Sequence, residues 1–175
     1  PVAGVRDALP AAVAAPRVAV VVPCHRVRDQ VLRVVSRIPD LVERRFDRGV
    51  LNAVWTSDIT YLATDQGWLY LCAVRDGCSR RVIGYAFAES LHTDIVETAL
   101  RRAVTFRDGD TTGTIFHADR GCQYTSAQLA QVAEDLDVRL SVGRTGVCWD
   151  NAQQESFWAT LKVEFYDRYL WPTKA

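Results

Sequence analysis

The pattern of apolar and polar positions changes character near Ile38-Pro39-Asp40. Before that point an Ala/Val/Arg-rich stretch holds four of the six prolines and shows no clean period. It allows a short strand at Val18–Val22 and a helix near Gln30–Arg37. Beyond it the pattern becomes orderly. Val54–Ala63 alternates with β-branched and aromatic residues, and Trp68–Arg75 is a second β-rich run. Thr64-Asp65-Gln66-Gly67 supplies turn chemistry between them, so the pair predicts a hairpin. Arg81–Glu89 predicts a third strand. Thr93 reads as the N-cap of a helix reaching about Arg107, with Asp94 and Glu97 in its first turn. Thr114–His117 predicts a short strand leading into Asp119, Ser126–Leu136 a helix, and Val138–Val142 a fifth strand. Asp150 or Asn151 then caps a final helix running to about Tyr169.

The order β-β-β-α-β-α-β-α predicts an α/β fold with a mixed five-stranded sheet flanked by helices. In such a sheet Asp58 lies within the first strand, Asp119 just past the fourth, and Glu155 in the opening turn of the last helix. Adjacent central strands with a helix laid across them bring three residues distant in sequence together.

Composition narrows the picture only a little. At 175 residues, 49% hydrophobic and 24% charged, the chain supports one domain with a real core. Net charge is zero, so bulk electrostatics does not argue for nucleic acid. The distribution is uneven: residues 1–50 hold nine Arg against five acids, and the remainder twelve Lys/Arg against sixteen acids. An acidic core with a basic flank is compatible with a metal-dependent site fed by basic neighbours. The five cysteines are odd in number and lack a C-x-x-C pair, which argues for reduced thiols in a cytosol and against a disulfide framework or zinc knuckle. The apolar run Ala11–Val22 is too short and interrupted to span a bilayer. With no Met and a first residue Pro1, the chain is expected to be a fragment, a processed product or a truncated frame.

Candidate chemistry centres on three acids, each within a distinctive phrase: W-T-S-D-I-T-Y around Asp58, H-A-D-R-G-C-Q-Y around Asp119, and D-N-A-Q-Q-E-S-F around Glu155. Thirty-five residues separate Asp119 from Glu155, although Asp7 and Glu43 share that gap by chance. Three converging carboxylates suit two hard cations, Mg²⁺ or Mn²⁺, and such a pair drives displacement at phosphorus. Asp58 would bridge, with Asp119 and Glu155 on the flanks. His117 would be a nearby partner or phosphate contact. Lys162, seven residues after Glu155, falls on about the same helix face; with Arg120 and Arg144 it suits phosphate contacts. Trp55, Tyr61, Trp68 and Tyr70 read as core or strand-face aromatics, His25 and His92 as surface residues, and the cysteines as small buried hydrophobes.

Four phrases in order carry a resemblance: W-T-S-D-I-T-Y, G-W-L-Y-L-C-A-V-R-D-G-C-S-R-R-V-I-G-Y, H-A-D-R-G-C-Q-Y-T-S and G-V-C-W-D-N-A-Q-Q-E-S-F-W-A-T-L-K-V-E. Residues 40–175 resemble the catalytic core of IS-three family insertion-sequence transposases, of the retroviral-integrase-like DDE group. The element order is similar to the ribonuclease-H-like arrangement. The resemblance implies metal-dependent cleavage and joining of DNA strands at the ends of a mobile element. It also implies DNA ends and target as partners, a homo-oligomer on DNA, no membrane and no small-molecule cofactor. It places the protein in a bacterial cytoplasm, on the nucleoid. Carried over by motif, the triad falls on Asp58, Asp119 and Glu155. Arg120, Gln123, Tyr124, Asn151 and Lys162 fall on neighbours that shape the site or hold DNA.

Departures from the family are Ala118 where serine is usual, and Gly77-Cys78 inside the D-x-x-S-R phrase. Residues 1–39 do not resemble the helix-turn-helix segment expected upstream, and the chain stops at L-W-P-T-K-A, short of the family's basic tail. Two further readings therefore stand beside strand transfer: a nuclease that only cuts, and a catalytically idle fragment that binds DNA or multimerises. A metal or redox module built on the cysteines is poorly supported by their spacing.

Overall fold

The computed structural model describes residues 38–144 and 151–174. The expected strand at Val18–Val22, the helix near Gln30–Arg37 and the cap at Asp150 lie outside them.

Two long strands, β1 (Val54–Thr64) and β2 (Gly67–Asp76), form the expected hairpin. Thr64 and Gly67 face each other across the turn, with Thr64 Oγ1 donating to the Gly67 carbonyl at 2.7 Å. Gly67 has φ +103, a conformation that a side chain would strain. Strand β3 (Val82–Ala88) continues the antiparallel meander. Helix α1 (Thr93–Phe106) then packs on it so closely that a Cβ at Gly84 would come within 2.3 Å of the Ala99 carbonyl oxygen. The cap of α1 is His92, one residue earlier than expected, and it makes no side-chain cap bond.

Strand β4 (Ile115–Ala118) enters parallel to β1, and β5 (Arg139–Val142) follows parallel to β4 beyond helix α2 (Ala127–Asp135). The sheet order is β3-β2-β1-β4-β5, a mixed five-stranded sheet as the pattern predicts. Ser126 caps α2 by accepting from the Leu129 N–H at 3.1 Å. All four β4 residues are buried, as a central parallel strand requires.

Alternation along β1 sends its residues to two cores. Trp55 and Ile59 join Cys72, Val74 and Phe116 under α1 and α2. Leu62 joins Leu71, Ala73 and Trp158 under helix α3 (Ala152–Glu164). The sequence predicts α3 running to Tyr169, but it ends at Glu164 and gives way to a 3-10 turn at Tyr166–Arg168. The tail's packing causes the break. Tyr166 stacks on Trp171 with ring planes 6° apart, its hydroxyl donates to the Ala63 carbonyl, and the Asp65 N–H donates to the Trp171 carbonyl at 3.0 Å. A continued helix would carry these rings away from the hairpin.

Candidate active site

β4 pairs with β1 only from Val54 to Thr56, so β1 runs on without a neighbour on that side. The last pair in this register is Thr56 with His117. Two residues beyond each stand Asp58 and Asp119, so the parallel register sets both acids at the point where the sheet opens. Ligand crevices form at such openings beyond the carboxyl ends of parallel strands. Here the opening is a cleft of about 190 Å³, lined by both acids together with Tyr61, Tyr70, Gln123 and Gly121.

Asp58 Oδ1 accepts from the Ile59 N–H at 2.8 Å, and Oδ2 accepts from the Trp158 indole at 3.0 Å. Burial pushes its carboxyl up to about 6, and the negative charges of Asp119 and Glu155 push the same way; the two donated hydrogen bonds oppose them. Asp119 is exposed and its Oδ1 accepts from the Gly121 N–H at 3.1 Å. Glu155 is exposed in the first turn of α3, where the helix dipole favours a carboxylate. It stands within electrostatic reach of Asp58 but does not line the cleft. Among the described residues, no three His, Cys, Asp or Glu side chains are gathered tightly enough to hold an ion unaided.

The donor set nonetheless suits a hard cation. Its three groups are carboxylates, and the burial and neighbouring negative charges that raise the proton affinity of Asp58 are relieved when a cation takes the proton's place.

The remaining predicted residues divide by exposure. His117, Tyr124 and Asn151 are 1%, 3% and 5% exposed, and each makes a bracing hydrogen bond, as the site-shaping reading of these residues expects. His117 Nδ1 pairs with Ser141 Oγ at 2.8 Å, Tyr124 Oη with Ser57 Oγ at 3.0 Å, and Asn151 Nδ2 donates to the Ser57 carbonyl at 3.2 Å. Two of these bonds fix the residue preceding Asp58. Gln123 lies at the cleft and donates to the Leu91 carbonyl at 3.3 Å. Arg120 Nε donates to the Gly143 carbonyl at 3.1 Å, and Arg144 is exposed. Lys162 holds its ammonium 5.0 Å from the Tyr61 ring centroid. Of the described cysteines, Cys72 is buried as expected, whereas Cys122 is exposed beside Gly121.

Sequence reasoning passed over several residues that set this geometry. Trp158 ties α3 to Asp58. Gln154 is fully buried, and its amide donates to the carbonyls of Thr56 at 2.7 Å and Ala73 at 3.2 Å, pinning α3 to both strands of the hairpin. Arg75 donates to the Gln153 carbonyl at 2.8 Å and to the Arg80 carbonyl at 3.1 and 3.2 Å. The available signal was spacing: Trp158 follows Glu155 by three residues, which puts both on one helix face.

Comparison with known proteins adds a second line of observation. Residues 51–148 match the family described as Integrase core domain. Transposase InsF for insertion sequence IS3A of Escherichia coli strain K12 is 41% identical over 125 residues, covering 71% of this chain and 43% of that protein. An uncharacterized 31 kDa protein of insertion element IS600 from Shigella sonnei is 37% identical over 131 residues, covering 75% and 48% respectively. The chain thus spans just under half the length of these curated relatives. A chain of the simian T-cell lymphotropic virus intasome, solved in complex with PP2A regulatory subunit B56 gamma, matches with a TM-score of 0.61 at 18% identity. That match covers 70% of this chain and 42% of the other. The HTLV-2 integrase catalytic core domain in complex with magnesium gives 0.52 at 17% identity, covering 66% and 72%. At such identities the structural likeness bears on the fold, which is the ribonuclease-H-like arrangement the element order predicts. The chain belongs to the integrase core domain family, and its curated relatives include IS3-type insertion-sequence transposases.

Proposed function

We propose that residues 40–175 form a transposase catalytic core that cleaves and joins DNA strands with the help of divalent cations, Mg²⁺ or Mn²⁺. The observation that carries this is the register that sets Asp58 and Asp119 together where β4 leaves β1, with Glu155 adding its charge from α3. Asp58, Asp119 and Glu155 would hold the ions, two in the full arrangement. When bound, such ions favour in-line displacement at phosphorus by polarising the attacking and leaving oxygens. The protein's own part is placement. Asp58 is held at both oxygens by the Ile59 N–H and the Trp158 indole, which limits its rotation. Asn151 and Tyr124 fix Ser57 behind it, and Gln154 keeps the Glu155 turn against the sheet. Gln123, Arg120, Arg144 and Lys162 are the expected contacts to DNA phosphates around the cleft. The reactions implied are hydrolysis of a phosphodiester to free a 3′-hydroxyl, then attack of that hydroxyl on a second phosphodiester. The partners would be element ends and target DNA, with further copies of the chain assembled on them. Among the described residues no helix is long and apolar enough to cross a membrane.

A second reading, a DNA-binding or multimerising module that does not cleave, is favoured by one observation: the three acids are not drawn into a closed cage. One assay separates the two. Supercoiled plasmid and Mn²⁺ should yield nicked product with the natural chain and none with Asp119→Asn, both proteins remaining folded by circular dichroism. Equal nicking by both would remove the catalytic assignment. Binding without nicking by the natural chain would favour the second reading.

A further inference from the structure

The β1–β2 hairpin projects past the end of β4, and its far end carries aromatic residues on one face. Tyr61 stands opposite Tyr70, and Trp68 stands opposite Ala63, nearer the turn. Tyr61 and Trp68 are 59% and 52% exposed. Their ring centroids lie 5.2 Å apart at an interplanar angle of 88°, an edge-to-face contact. The Lys162 ammonium sits 5.0 Å from the Tyr61 centroid. These two contacts engage at most two of the four ring faces. Tyr61 and Tyr70 also line the cleft that holds Asp58 and Asp119.

Hairpin stability alone is a weak reason for the arrangement, because a cross-strand aromatic pair contributes only modestly and these rings keep much of their surface in water. Ring faces open to solvent suit another flat ring. In a duplex the faces of the bases are covered by their neighbours, so only an unpaired or terminal base offers one. A cation held over the same ring places positive charge where that nucleotide's phosphate would run. Tyr61 follows Asp58 by three residues, so the two side chains leave opposite faces of β1, and the cleft reaches both around the strand's open edge; the separation, roughly 10 Å along a strand, corresponds to about three base steps of duplex. A base lodged there belongs to the DNA end whose phosphate reaches the acids.

We propose that Tyr61, Trp68 and Lys162 form a stacking subsite for one unpaired nucleobase next to the reacting end of the DNA. The inference rests on the DNA-processing reading and adds the form of the substrate: an end that is frayed or single-stranded where it enters the cleft.

The test compares two duplexes in EDTA, identical except that a short 3′ tail carries either ordinary bases or abasic sugars. Both tails keep their phosphates. The natural chain should bind the base-bearing tail roughly 5- to 100-fold more tightly, and 2-aminopurine in the tail should lose fluorescence on binding. Tyr61→Ala and Trp68→Ala should each erase most of that ratio, and Tyr61→Phe should preserve it. Equal binding of the two tails by the natural chain, or an unchanged ratio in both alanine variants, overturns the subsite and leaves the DNA-processing reading standing. Failure to bind either duplex overturns both.

Discussion

Trp158 donates its indole N–H to Asp58 Oδ2 at 3.0 Å, so the helix that carries Glu155 is hydrogen-bonded directly to the strand that carries Asp58. The bond both aims the carboxylate and opposes the upward pull of burial on its proton affinity. Trp158→Phe keeps most of the packing against Leu62 and Leu71 and removes only the donor. The variant should lose about 1.5–3 kcal/mol of stability at neutral pH, as expected for a hydrogen bond to a charged group. It should also move the acid limb of Mn²⁺-supported nicking to higher pH. Urea denaturation and a pH–rate profile check the two effects.

Asp58 also makes apo stability depend on pH. Its carboxyl titrates at about 6 in the folded chain against an ordinary 3.8. Between those values the folded state binds more protons than the unfolded state, so stability falls as pH rises through the window and the penalty is complete above about pH 6. Asp58→Asn removes the charge. In EDTA at pH 7.5 the variant should be more stable by up to about 3 kcal/mol, less what the amide loses in hydrogen bonding. Near pH 4 the gain should vanish. A variant less stable at both pH values would contradict this account of the site.

Gln154 is the polar pin between α3 and the hairpin, bonding both Thr56 and Ala73 carbonyls from a fully buried position. Gln154→Ala should cost about 2–3 kcal/mol, since two buried acceptors lose a donor. Gln154→Glu should cost more, because it buries a charge beside those same carbonyls. Chemical denaturation of both variants measures the difference.

A second buried anchor lies behind the β2–β3 turn. Asp76, with no exposed surface, accepts from Arg107 Nη2 at 2.9 Å and from Ser79 Oγ at 2.7 Å. Arg107→Ala strands that carboxylate, and about 3–5 kcal/mol of stability should be lost. Thermal unfolding checks this, and a change within 1 kcal/mol would show that the ion pair is dispensable.

Much of this architecture was legible in the sequence because it is local. The alternation of Val54–Ala63 and Trp68–Arg75 about Thr64-Asp65-Gln66-Gly67 encodes the hairpin, and the observed strands extend those bounds by a residue. What escaped was direction. His117, Tyr124 and Asn151 are polar and lie near the acids in sequence, yet all three are buried: His117 pairs with Ser141 of β5, Tyr124 packs in the core under α1 and α2, and Asn151 bonds the Ser57 carbonyl. The end of α3 was hidden for a related reason: residues 165–169 contain no Gly or Pro to mark a stop, but the Tyr166–Trp171 stack and the Ala63 carbonyl draw them back onto the hairpin. Cysteines make the same point, with Cys72 in the core and Cys122 at the surface. Residue type alone sets neither outcome.

Manganese binding tests the central claim most directly, since it reads the acids as one cation site without requiring turnover. Titration of the chain with Mn²⁺, followed by loss of the free-ion EPR signal, should show binding that weakens at least about tenfold in each of Asp58→Asn, Asp119→Asn and Glu155→Gln. Unchanged Mn²⁺ affinity in all three folded variants would show that these carboxylates do not act together, and the proposed catalytic core would lose its basis.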